Sequence, residues 1–152
     1  MNLYKARLLQ FHNLNAMQKR TLLVAWLWLP LFWLGLRVLG LPRFQAWLQK
    51  APTRAALSMT LPAIKALGDT VNIAARHSPF PATCLTRSLL LGWLLWRRGV
   101  QSQLRIGVRL TEGALDAHAW VEYNGMPVND QLDVGNSFTL FGDLVPLSAF
   151  ET

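Results

Sequence analysis

The chain has 152 residues, 52% of them hydrophobic, with a formal net charge of +7 and one cysteine. That length fits a single domain with enough apolar material to bury a core. One cysteine excludes an internal disulfide, and a free thiol suits a reducing cytoplasm. The charge is uneven. Lys5, Arg7, Lys19, Arg20, Arg37, Arg43, Lys50, Arg54 and Lys65 all precede the first acid, Asp69, and from Thr111 onward every formal charge is acidic. Such asymmetry marks a membrane surface, a docking face for an acidic partner, or a solvated helical face. Nucleic acid is a poor match, because there is no basic stripe interleaved with aromatics and none of the known binding motifs.

Residues 3–75 read as helices separated by proline: 3–29, 31–39, 42–50, and 53–75 with a break at Pro62. Within them the run from Leu22 to Leu36, LLVAWLWLPLFWLGL, is apolar throughout and follows Lys19-Arg20. It falls short of the roughly 18 to 20 apolar residues that cross a bilayer. It also lacks the small-residue cleavage site of an export signal. Three readings stay open: a buried or partner-facing hairpin broken at Pro30, membrane association through Leu22 to Leu36, or a true span. Trp26, Trp28 and Trp33 fit the first two, since indoles favour interfaces and large apolar contacts.

A proline-rich loop, His77-Ser78-Pro79-Phe80-Pro81, closes this part, and the rest reads as α+β. Residues 83–98 carry Leu85, Leu89, Leu91, Leu94 and Leu95 at helical spacing, with Gly99 as a stop after a basic end. From Gln103 to Leu110 the chain alternates. Leu104, Ile106, Val108 and Leu110 share one face and Arg105 and Arg109 the other, which is the period of a strand. After a Thr111-Glu112-Gly113 loop comes a second strand, Ala117-His118-Ala119-Trp120-Val121-Glu122-Tyr123, and then Asn124-Gly125, the strongest hairpin signal in the chain. A two-residue turn there pairs Tyr123 with Met126 and sets Gln131 opposite His118. A three-residue loop with Gly125 left-handed pairs Glu122 with Met126 and brings Asp130 to His118. Chemistry that needs His118 beside Asp130 therefore calls for the odd loop or an equivalent bulge.

Cys84, His118 and Asp130 follow one another in the order of a thiol hydrolase. A helix N-terminus lowers a thiol pKa, an imidazole takes the proton, and a carboxylate on the far ring nitrogen fixes the tautomer. Asp133 is a rival for that last role. Trp120 shares a face with His118 and is expected to pack under the imidazole, whereas His12 and His77 have no partner at useful spacing. The Cys84 N–H is one natural oxyanion donor, with the second not identifiable. Neither metal-ligand spacing nor a phosphate-cradling loop is present, so no metal and no cofactor are expected. The competing reading makes Cys84 a small buried hydrophobe and His118 a core histidine.

Cys84-Leu85 opening a helix, Gly99 closing it, Ile106-Gly107-Val108, Ala117-His118-Ala119-Trp120-Val121-Glu122, and Asp130 beyond together resemble a known family. It is the lasso-peptide biosynthesis B protein, in its stand-alone leader-peptidase form, within the transglutaminase-like cysteine proteases. The resemblance implies a helical region over residues 1–75. A transglutaminase-like or papain-like core then spans 76–152, with the Cys at a helix N-terminus packed on a small antiparallel sheet. It implies a cysteine endopeptidase that cuts the leader from a ribosomally made precursor peptide, with Cys84, His118 and Asp130 catalytic. The freed amine would be joined to an acidic side chain by a partner lasso cyclase. Because residues 1–75 lack the strand pattern of a leader-gripping winged-helix module, a separate leader-binding protein is expected. The alternatives are an acyl transferase using the same triad and a non-catalytic membrane-associated scaffold. The expected location is cytoplasmic or membrane-peripheral.

Overall fold

Three long helices and a four-stranded antiparallel sheet give the α+β arrangement that the sequence predicts, in a computed structural model that describes residues 15–54 and 58–141. The expected helix start at Leu3, and His12 with it, lie outside the described residues. Helix α1 (Ala16–Leu48) opens with a capping box in which the Asn15 side chain accepts from the Gln18 N–H and the Gln18 side chain accepts from the Asn15 N–H.

The expected hairpin break at Pro30 does not occur. Pro30 lies inside α1, and the interruption falls at Gly40, with φ 72° and ψ 166°. A proline removes one helical hydrogen bond, but Leu29 and Phe32 on either side are both buried, so the core holds the two flanks on one axis. Gly40 instead adopts a conformation that few other residues tolerate, and Pro42 then falls in the first turn of the segment that follows, where its missing N–H is no loss. That segment folds back: the Phe44 ring occupies the space a Gly35 side chain would need and meets Phe32 edge-on at 5.1 Å. By length and composition α1 is long and apolar enough to cross a membrane.

Helix α2 spans Leu61–Arg76. It begins later than the expected Thr53, because Thr60 caps it and Pro62 sits in its first turn, so Pro62 starts the helix rather than breaking it. Helix α3 (Cys84–Arg97) is capped by Thr83 and ends where Gly99 N–H donates to the Trp96 carbonyl and Val100 N–H to the Leu95 carbonyl, a Schellman motif. Burial, and then the positive charges of Arg54 and Arg97, hold the nearby Arg98 guanidinium below its ordinary pKa.

Strand β1 (Gln103–Thr111) pairs antiparallel with β2 (Ala114–Tyr123), followed by β3 (Met126–Pro127), a one-turn helix α4 (Val134–Ser137) and β4 (Thr139–Leu140). The order across the sheet is β3-β2-β1-β4. One face of the sheet carries Leu104, Ala119 and Val121, which join Ala25, Leu29 and Phe32 of α1, Ile64 and Val71 of α2 and Leu90 and Leu95 of α3 in one core. The β1–β2 tip reaches past this cover, which leaves Leu110 and Leu115 exposed.

Close approach of α2 to the segment after β3 depends on Gly68, because the Val128 carbonyl stands where a Cβ would be. Gly68→Ala should lower unfolding free energy by about 1–3 kcal/mol, since backbone rather than a flexible side chain must yield. Gly92→Ala in α3, where nothing lies within 4 Å of the added carbon, should be neutral or stabilising by up to about 1 kcal/mol. Urea unfolding of the two variants checks the contrast.

Candidate active site

Cys84 is the first residue of α3, half-buried and free of any disulfide. Local sequence sets this start. The Thr83 hydroxyl accepts from the Thr86 N–H at 3.2 Å and the Thr83 carbonyl takes the Arg87 N–H at 3.1 Å. The first-turn N–H groups of Cys84 and Leu85 come before the intrahelical ladder begins, so they present donors and the positive end of the helix dipole beside the thiol. The loop leading in is fixed by α1, where Trp26 Nε1 donates to the His77 carbonyl at 2.8 Å and Trp33 stacks on Phe80 at 5.6 Å.

His118 lies on β2 with its side chain on the sheet face opposite the core. Its Nε2 is 2.6 Å from Asp130 Oδ2, and the two side chains are 21% and 19% exposed. The other carboxylate oxygen of Asp130 accepts the Gln131 N–H at 2.8 Å, which fixes its direction. Asp133, the rival, is exposed at the start of α4 and makes no capping bond there. Trp120 packs beside the imidazole as expected, with ring centroids 6.1 Å apart, and is fully buried. Its Nε1 donates to Glu122, which also receives Arg105.

Of the two routes expected, a three-residue loop or an equivalent bulge, the turn between β2 and β3 does not take the loop. Tyr123 pairs with Met126, and Asn124 and Gly125 form a two-residue turn with φ of 49° and 76°. Two positive φ values in succession make a turn whose twist matches the strands, so Asn-Gly takes that form without help from the site. An unbroken ladder would then bring Gln131 to His118. The phase changes downstream instead. Val128 N–H still donates to the Val121 carbonyl at 2.9 Å, but the Val121 N–H is taken by the Asn129 side-chain oxygen at 2.8 Å. A side chain thus replaces the backbone acceptor, the main chain leaves the ladder, and Asp130 reaches the imidazole.

The same Asn129 ties the strand to the helix. Its Nδ2 donates to Ser88 Oγ at 2.9 Å, and Ser88 Oγ donates to the Ala119 carbonyl at 3.0 Å, while Asn72 Nδ2 holds the Asn129 carbonyl at 2.9 Å. Ser88 therefore docks α3 on β2 one residue beyond His118. The C-terminal end of α3 leads through a short connection to Gln103, which pairs with Glu122. Cys84 lies four residues before Ser88, about 6 Å along α3, and the His118 side chain meets Asp130, Trp120 and Phe138.

Ser88, Asn129, Asn72, Gly107 and Phe138 were not legible as site residues. Gly107 faces His118 across β1–β2, and the space its side chain would fill holds the Phe138 Cβ at 2.7 Å. Phe138 stacks on His118 at 5.2 Å and has the Arg109 guanidinium over its ring at 4.5 Å. Among the described residues no group of three His, Cys, Asp or Glu side chains converges on a metal position.

Compared with known proteins, residues 26–141 match the family model described as the transglutaminase-like superfamily. No curated protein and no solved structure gives a match.

Asn129→Ala should strand the buried Val121 N–H and remove the Ser88 partner, lowering stability by about 1–3 kcal/mol for each unsatisfied group. Thermal unfolding of Asn129→Ala and Ser88→Ala checks this, with the double variant expected to cost less than the sum of the two.

Proposed function

Since the chain belongs to the transglutaminase-like superfamily, whose members are generally cysteine-dependent enzymes, we propose that it is a cysteine peptidase that removes the leader of a ribosomally made precursor during lasso-peptide maturation. The observation that carries the peptidase reading is the 2.6 Å His118–Asp130 contact on a strand docked to the helix that Cys84 opens. The lasso-peptide assignment rests on the sequence resemblance around Cys84, His118 and Asp130.

Asp130 holds Nε2, so Nδ1 is the ring nitrogen that takes the Cys84 proton. The Cys84 sulfur then attacks the scissile carbonyl carbon, and its electron pair moves onto oxygen, where the Cys84 N–H at the helix start is a donor. Collapse of this oxyanion breaks the C–N bond as the imidazolium protonates the leaving amine, leaving a thioester on Cys84. Water, deprotonated by His118, releases the acid and restores the thiol. Asp130 stays ionised throughout and supports the imidazolium. The leader would be delivered by a separate binding protein, and the new amine passed to a lasso cyclase.

Incubating the chain with a candidate precursor and leader-binding protein should give a product shortened by the leader mass, with water added across the cut bond. Cys84→Ala should give none. Asp130→Asn should keep the thermal unfolding midpoint while lowering the rate by roughly 10²-fold or more. A product that carries an added amine instead would identify acyl transfer. Cleavage that persists in Cys84→Ala would overturn the reading.

A further inference from the structure

On α1, Leu23, Leu27, Leu31, Leu34 and Val38 are 60%, 61%, 54%, 49% and 70% exposed. Their spacings of four, four, three and four residues place them within an arc of about 80° on an α-helix. Ala25, Leu29 and Phe32, which carry the core contact, lie on the opposite side of the same helix. The stripe runs about 22 Å along the helix. A single apolar row this long is more than scattered surface hydrophobics account for.

Charge indicates what covers it. Lys19 and Arg20 precede the stripe and Arg37 lies at its far end, while Arg43 and Lys50 belong to the segment that folds back after Gly40; all five are exposed, and no acid occurs before Asp69. A second copy of the chain laid on the stripe would bring these cations against their own kind. An anionic surface is complementary both to the apolar row and to its basic ends.

A span is excluded by packing. The Leu29 side of α1 is fixed against α2 and α3, and α2 carries Lys65, Asp69 and Asn72, so inserting α1 across a bilayer would take charged groups into hydrocarbon. We infer that α1 is an interfacial helix that lies on an anionic lipid surface, with Leu23, Leu27, Leu31, Leu34 and Val38 in the acyl boundary and Lys19, Arg20 and Arg37 among the headgroups. This holds whatever reaction Cys84 performs.

The test is flotation of the full chain with vesicles of phosphatidylcholine and phosphatidylglycerol, or of phosphatidylcholine alone, alongside light scattering without lipid. Binding is expected on the anionic vesicles, weakened by salt and much lower on the neutral ones. The double variant Leu27→Glu, Leu31→Glu should lower the bound fraction at least tenfold, as should Lys19→Glu with Arg20→Glu. Leu110→Glu with Leu115→Glu, more exposed but on the hairpin tip, should leave it unchanged, and circular dichroism should find all three folded. The inference is overturned if anionic vesicles bind no chain, or if the hairpin variant loses as much binding as the stripe variant. It is also overturned if the chain is a dimer that the stripe variant dissociates without any lipid effect.

Discussion

The whole site rests on the Asn129 carboxamide standing in for a piece of backbone. Its oxygen takes the Val121 N–H that the next residue of a strand would have bound, and its nitrogen reaches Ser88 on α3. Three consequences follow from this one placement. The chain after β3 leaves the ladder, the helix is pinned to β2 beside His118, and α2 closes over the same point through Asn72. Buried polar groups are costly unless paired, so the bonds that Asn129 makes to Val121, Ser88 and Asn72 favour one arrangement of helix, strand and loop. Asn72 Oδ1 is the one buried side-chain atom of the network left without a hydrogen bond. Position, more than propensity, is what the network fixes.

The sheet divides the molecule into two chemistries. On the core face, Leu104, Ala119 and Val121 meet the three helices in an apolar interior. The other face carries His118, Trp120, Phe138 and the Arg105–Glu122 pair, aromatic rings interleaved with charge. Helix α1 works on both levels. Phe32 and Trp28 pack on Trp93, and Trp26 and Trp33 brace the loop that feeds Cys84. Helix α1 therefore meets the Cys84 helix both directly, at Trp93, and through the loop of residues 77–83.

Periodicity made the strands and the Cys84 helix legible. Leu104 and Ile106 alternate with Arg105, and Thr83 and Gly99 bracket α3. His118 and Asp130 were legible as a pair because their types are rare enough in this chain to stand out. What sequence could not supply was the route by which they meet. Asn-Gly sets a two-residue turn from local conformational preference alone, and the compensating shift comes from a side-chain bond made by Asn129, a residue with no periodic signature. Pro30 misled for the opposite reason, because burial of Leu29 and Phe32 outweighs one lost helical bond. Gly68 and Gly107 are informative only once a neighbour is known to occupy the missing Cβ position.

Strand β4 has only two residues, held by pairing of Thr139 and Leu140 with β1 and by the Phe141 N–H on the Ile106 carbonyl. It carries the connection to Phe138, whose ring covers His118. Local opening costs least where few backbone bonds must break, so amide protons of β4 should exchange well before those of β1 and β2. The His118 side chain is already 21% exposed, so opening of this edge would widen an existing path to the imidazole by lifting the Phe138 ring, without touching the bonds made by Asp130 and Asn129.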